Sequence, residues 1–143
     1  MNAILVSICC LGGIANANDN VLVGADIGYG EYLSGECVTC HHSQELIKIS
    51  VGDSVTWVAT DRGHNVEMVA SPNNMELKSK LGKDVTVSFD APGIYYYWCT
   101  PHKGMGMIGL VVVGDDTSNM DQIIEAKAMG ESKKKLKDLL GQL

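Results

Sequence analysis

The chain has 143 residues, 45% of them hydrophobic and 20% charged, enough for one compact domain with a core of its own and little more. Against 17 Asp and Glu stand 11 Lys and Arg, a formal net charge of −6 at pH 7, which excludes the strongly basic footprint of a nucleic-acid binder. The first stretch, 1–17, reads as a signal peptide: Ala3 to Ile14 is apolar, and "ANA" at 15–17 supplies the small residues of a cleavage site after Ala17. The run is too short, and too broken by Gly12 and Gly13, to span a membrane. The expected mature protein is therefore periplasmic and not membrane-attached. Cys9 and Cys10 leave with the leader.

Residues 18–43 form an atypical N-terminal segment. Val21, Leu22 and Val23 favour a strand, whereas 26–40 is expected to be helical despite Gly28, Gly30 and Gly35. "CVTCH" at 37–41 is the pattern of c-type haem attachment, with Cys37 and Cys40 for the vinyl groups and His41 as an axial ligand.

From Glu45 the period changes to two. "ELIKIS" and "SVTWVATD" flank a "VGD" turn and read as strands; "DVTVSFD", "GIYYYWC" and "MIGLVVVGD" follow as three more, the first two joined through Pro92-Gly93. Short strands at this spacing imply a β-sandwich or small barrel. The tail turns helical: Met120, Ile123, Ile124 and Ala128 share one face, with Thr117 or Ser118 as N-cap and Gly130 as stop. Leu136, Leu139, Leu140 and Leu143 mark a second short helix, whose lysines are its solvated face.

The chemistry concentrates in "CTPHKGMGM" at 99–107. Cys99 is a lone thiol in an oxidising compartment. It sits three residues from His102 and eight from Met107, and His64 in "RGHNVE" is a second imidazole from a distant loop. Two His, one Cys and a weak axial Met are the donor set of a blue-copper electron-transfer site. A structural zinc site wants four strong donors and does not use Met. A nucleophilic Cys–His pair would need an oxyanion arrangement and an orienting carboxylate, and this loop offers neither.

On these motifs, 45–143 resembles the pseudoazurins of the cupredoxin family, and the expected cupredoxin domain runs over 44–143. The His64-Asn65 pair, the Cys-Thr-Pro-His run, the Gly-Met-Gly-Met run and the two-helix tail occur in order. The resemblance implies an all-β Greek-key sandwich with two short C-terminal helices, holding one copper through His64, Cys99, His102 and Met107. The family spacing selects Met107 over Met105, and Asn65 would tie the His loop to the Cys loop. It implies a monomeric electron carrier, not an enzyme. Redox proteins such as nitrite reductase or a c-type cytochrome would dock over His102, on an apolar patch of Pro101, Gly104, Met105 and Gly106. Arg62, Lys78, Lys80, Lys83 and Lys103 would form a basic rim.

Two features depart from this pattern. The family's first strand is missing before "ELIKISVGD", and 19–42 is instead similar to the haem-attachment segment of a class I cytochrome c. Covalent haem c on Cys37, Cys40 and His41 is thus the alternative redox centre. No haem pocket follows in the sequence, so free thiols or a local disulfide rank ahead of it.

Overall fold

The alternating pattern that begins at Glu45 folds into strands that stack as two sheets. The computed structural model describes residues 44–59 and 62–143, His42, and the strand positions 20–23, 32–33 and 36–37. The expected leader, Cys40 and His41 lie outside these residues, and of Cys37 the backbone alone is described. In chain order the strands are β1 (Asn20–Val23), β2 (Tyr32–Leu33), β3 (Glu36–Cys37), β4 (Leu46–Ile49), β5 (Ser54–Trp57), β6 (Glu67–Ala70), β7 (Val85–Ser88), β8 (Gly93–Trp98) and β9 (Ile108–Val113). Helices α1 (Met120–Ile124) and α2 (Ser132–Leu140) follow.

One sheet has the order β1-β5-β7 and the other β4-β9-β8-β6. Neither expected turn therefore makes a hairpin. The "VGD" turn carries the chain from β4 in one sheet to β5 in the other, and Pro92-Gly93 crosses back from β7 to β8. The alternation of β4 and β5 shows that one face of each is buried, but it cannot say in which sheet. At the front, β1 runs parallel to β5, with Asn20 opposite Ser54 and Val23 opposite Trp57, so this segment supplies an edge strand. The helix expected over 26–40 does not form at its described positions. Tyr32 pairs with Cys37 and Leu33 with Glu36 in an antiparallel ladder, in keeping with the poor helix propensity of the neighbouring glycines.

Strands β8 and β9 are buried along their whole length, because the four-stranded sheet is covered on both faces. Tyr95, Tyr97 and Cys99 face the other sheet with Trp57, Phe89 and Met107. Ile94, Tyr96 and Trp98 point the opposite way, onto Ile123 of α1 and Leu136 and Leu139 of α2. Each such large apolar side chain stabilises the fold by roughly 1.5–3 kcal/mol when fully buried. That alternation sets up the site, since it sends Cys99 inward and leaves its neighbours facing out.

α1 is shorter than the apolar spacing predicts, and Ile124 stays 59% exposed. Its N-cap is Asn119, not Thr117 or Ser118. The Asn119 side chain accepts from Ile94 N (2.8 Å) and donates to Ile94 O (2.9 Å), standing in for a strand partner at the end of β8. Gly130 has φ +50°, and a Cβ there would strike the carbonyl oxygen of Gly104 in the 99–107 loop. The approach to α2 thus presses directly on that loop.

Candidate metal centre

Strand β8 ends at Trp98, and Cys99 stands at the junction with a 3-10 turn, Thr100–His102, that has Pro101 in its first positions. Pro101 lacks an N–H where the turn requires none. The loop closes on itself: Cys99 N donates to Met107 O (2.9 Å), His102 N to Cys99 O (3.0 Å), and Met105 N to His102 O (3.0 Å). The start of α2 braces it from outside. Ser132, fully buried, donates to Lys103 O (2.6 Å) and accepts from Gly106 N (3.1 Å), while Glu131 N donates to Gly104 O (3.0 Å).

His64 arrives on the loop before β6, where its carbonyl accepts from Gly82 N (2.9 Å). Asn65, only 2% exposed, joins the two loops. Its Oδ1 accepts from Thr100 N (2.8 Å), and its Nδ2 donates to Thr100 Oγ1 (2.9 Å) and Ser79 O (3.1 Å). The expected tie between His and Cys loops is present in these bonds.

The donors converge. Cys99 Sγ lies 3.6 Å from His64 Nδ1 and 3.4 Å from His102 Nδ1, and the three residues offer ligand atoms all within 4.8 Å of one another. A first-row metal at usual bond lengths, about 2.0–2.1 Å to nitrogen and 2.3 Å to sulfur, holds N and S about 3.6–3.8 Å apart for tetrahedral to trigonal angles. The observed spacing fits one shared ion to within a few tenths of an ångström. Met107 is fully buried in the same core cluster as Cys99. His64 and Cys99 are also fully buried, whereas His102 is half-buried and brings the group to the surface. Burial pushes the Cys99 thiol up to about 11, against weaker lowering by backbone N–H groups of Asn65 and His102. Without a cation the sulfur is therefore protonated at neutral pH, and a metal must displace that proton.

Around this centre, Met105 is 45% exposed and Pro101 is exposed, but Gly106 is buried under α2 and not part of an open patch. Arg62, Lys78, Lys80 and Lys83 are exposed; Lys103 lies 5.3 Å from the centroid of the Trp98 ring, and Lys78 lies 3.6 Å from Glu67. Three contributors were not evident in the sequence. Leu81, 55% exposed, precedes the Gly82 amide that binds His64 O, a long-range contact that brings this segment to the His64 loop. Ser132 reads as one more polar helix residue, and Glu67 as one more polar strand position. Yet Glu67 Oε2 accepts from Thr100 Oγ1 (2.6 Å) and Trp98 Nε1 (2.7 Å). Burial raises its pKa, but those two bonds and the Lys78 charge outweigh it and hold the carboxyl below its ordinary 4.5.

Comparison with known proteins agrees with this geometry. The profile of the copper binding proteins of the plastocyanin/azurin family matches residues 33–114. A protein of Rhizobium leguminosarum bv. viciae described as a pseudoazurin is 42% identical over 101 residues, covering 68% of this chain and 66% of its own length. The pseudoazurin of Paracoccus pantotrophus is 38% identical over 101 residues, 68% of this chain and 70% of its own length. The chain thus spans about two thirds of the curated relatives it matches. The crystal structure of pseudoazurin from Methylobacterium extorquens AM1 superposes with a TM-score of 0.73 at 31% identity, covering 87% of this chain and 98% of that one.

The chain belongs to the plastocyanin/azurin family of copper binding proteins and has the cupredoxin fold. Within that family its similarity is to the pseudoazurins. Membership carries the cofactor with it: copper is this chain's metal, and the family's members are electron carriers rather than enzymes. The cytochrome-like reading of 37–41 gains no support from any of these relatives.

Proposed function

We propose that His64, Cys99, His102 and Met107 hold one type 1 copper ion, and that the protein carries single electrons between redox partners through the exposed edge of His102. The observation that carries this reading is the meeting of one sulfur and two imidazole nitrogens, from loops 35 residues apart, at 3.4–3.6 Å. Copper supplies the one-electron couple. The chain supplies a donor set that suits both oxidation states, thiolate and thioether for Cu(I) and imidazole for either. Asn65 and the closed 99–107 loop hold the donors in place, and burial of Cys99, His64 and Met107 keeps water from the sulfur.

The partners we propose are a nitrite reductase as acceptor and a c-type cytochrome as donor. They would dock on Pro101, Met105 and Leu81, steered by Arg62, Lys80, Lys83 and Lys103. Association rates with an acidic partner then fall as ionic strength rises. The proposed setting is the periplasm, as a monomer of residues 18–143 after cleavage following Ala17.

Spectra of the mature protein loaded with Cu(II) test the central reading. An intense visible thiolate-to-copper band with narrow copper hyperfine splitting is expected, and Cys99→Ser should abolish it. A colourless Cu(II) complex, or a Soret band in place of the copper band, overturns it. N-terminal sequencing of the exported protein tests the cleavage site.

A further inference from the structure

Cys99 stands where the backbone changes geometry: the strand ends at Trp98 and a 3-10 turn begins at Thr100. The residues on either side, Trp98 and Thr100, both donate to the same atom, Oε2 of Glu67, at 2.7 and 2.6 Å. Glu67 faces Trp98 directly across the β6–β8 ladder. Its other oxygen, Oε1, is left to Lys78 at 3.6 Å. Rotating the strand–turn junction about Cys99 moves Trp98 and Thr100 in different directions, so it must stretch one bond or the other. Such a rotation would also swing Cys99 Sγ relative to the His64 and His102 nitrogens.

We infer that Glu67 is a positioning residue for the metal centre, a two-point clamp that fixes the torsion of the junction carrying Cys99 and hence the direction of its sulfur. The inference rests on the reading above, in which Cys99 binds copper. It assigns the work to one acceptor oxygen, not to the negative charge. A glutamine can turn its carbonyl oxygen to the Oε2 position, accept from both donors and leave its amide toward Lys78. An alanine can accept from neither.

The test compares the full mature protein with Glu67→Gln and Glu67→Ala, each loaded with Cu(II). For Glu67→Ala we expect an altered intensity ratio of the thiolate-to-copper bands and a displaced reduction potential. Copper affinity should fall 10–100-fold, as for other residues that orient metal ligands. Glu67→Gln should keep the wild-type spectrum and affinity. Trp98→Phe, which removes one of the two donors while keeping the ring, should move the band ratio part of the way in the same direction. It reports on the clamp even if Glu67→Ala does not fold. A folded Glu67→Ala with wild-type spectrum, potential and affinity overturns the inference. So does a Glu67→Gln as disturbed as the alanine variant, since charge would then be the cause. A Trp98→Phe spectrum identical to wild type also overturns it. A wild-type protein without any thiolate-to-copper band would instead defeat the copper reading on which the inference stands.

Discussion

Replacing Asn65 with alanine isolates the joint between the two donor loops. The side chain makes three hydrogen bonds, to Thr100 N, Thr100 Oγ1 and Ser79 O, at 2.8, 2.9 and 3.1 Å, in a site that is 2% exposed. Each such bond contributes about 1 kcal/mol net, and the stranded Thr100 N–H and Ser79 carbonyl add a desolvation cost unless water enters. The expected loss is about 3 kcal/mol, a large share of the roughly 5–15 kcal/mol that holds a domain together. At this chain length it lowers Tm by about 10 °C. Urea unfolding of the copper-free protein measures it, read by the fluorescence of Trp57 and Trp98, both buried. The slope with urea should not change. Pairing Asn65→Ala with Thr100→Val in a double-mutant cycle should return a coupling of about 1 kcal/mol for the Nδ2–Oγ1 bond. A loss below about 1 kcal/mol for Asn65→Ala would refute the reasoning. The backbone bonds Gly82 N to His64 O and Cys99 N to Met107 O would then hold the loops without it.

Three further outcomes follow from the same structure. A Cβ on Gly109 would meet the Tyr97 ring, itself fully buried with Trp57 and His42 at 5.1 Å on its sides, so Gly109→Ala should destabilise by about 3 kcal/mol through overpacking; a thermal shift under a few degrees would contradict this. With the Cys99 thiol pushed up to about 11, copper binding at pH 7 should release about one proton, visible with an indicator dye in weak buffer and absent in Cys99→Ser. The Glu67 carboxyl is held below its ordinary 4.5, so its stabilisation is present above that value and is lost as pH falls through the lower folded value. The stability gap between the copper-free wild type and Glu67→Gln should accordingly shrink from pH 6 to pH 3; a gap that is constant or widens on acidification would show the sign to be wrong.

Much of the site was legible in the chain because its chemistry is local. Cys99, His102 and Met107 lie within nine residues, and sulfur and imidazole donors are rare enough for their crowding to carry information. The strands were legible through period two, and α2 through its leucines. The expected helix over 26–40 and the longer α1 were misplaced, because the first weighed a helical pattern over its glycines. The second took apolar spacing as burial, whereas Ile124 is left 59% exposed. Glu67, Ser132 and Leu81 were invisible, since Glu67 and Ser132 have their roles through partners 26 to 33 residues away and Leu81 through the bond its neighbour Gly82 makes to His64 O.

By itself, then, the amino-acid order determined which donors exist, which metal they suit and which stretches are strand. Tertiary structure alone decided that β4 and β5 part into different sheets, that Asn65 and Thr100 meet, and that His64 comes to 3.6 Å from the sulfur. The division has a physical cause: donor chemistry and strand period are properties of neighbouring residues, whereas convergence depends on how two sheets pack over a shared core, a sum of contacts between residues far apart in the chain.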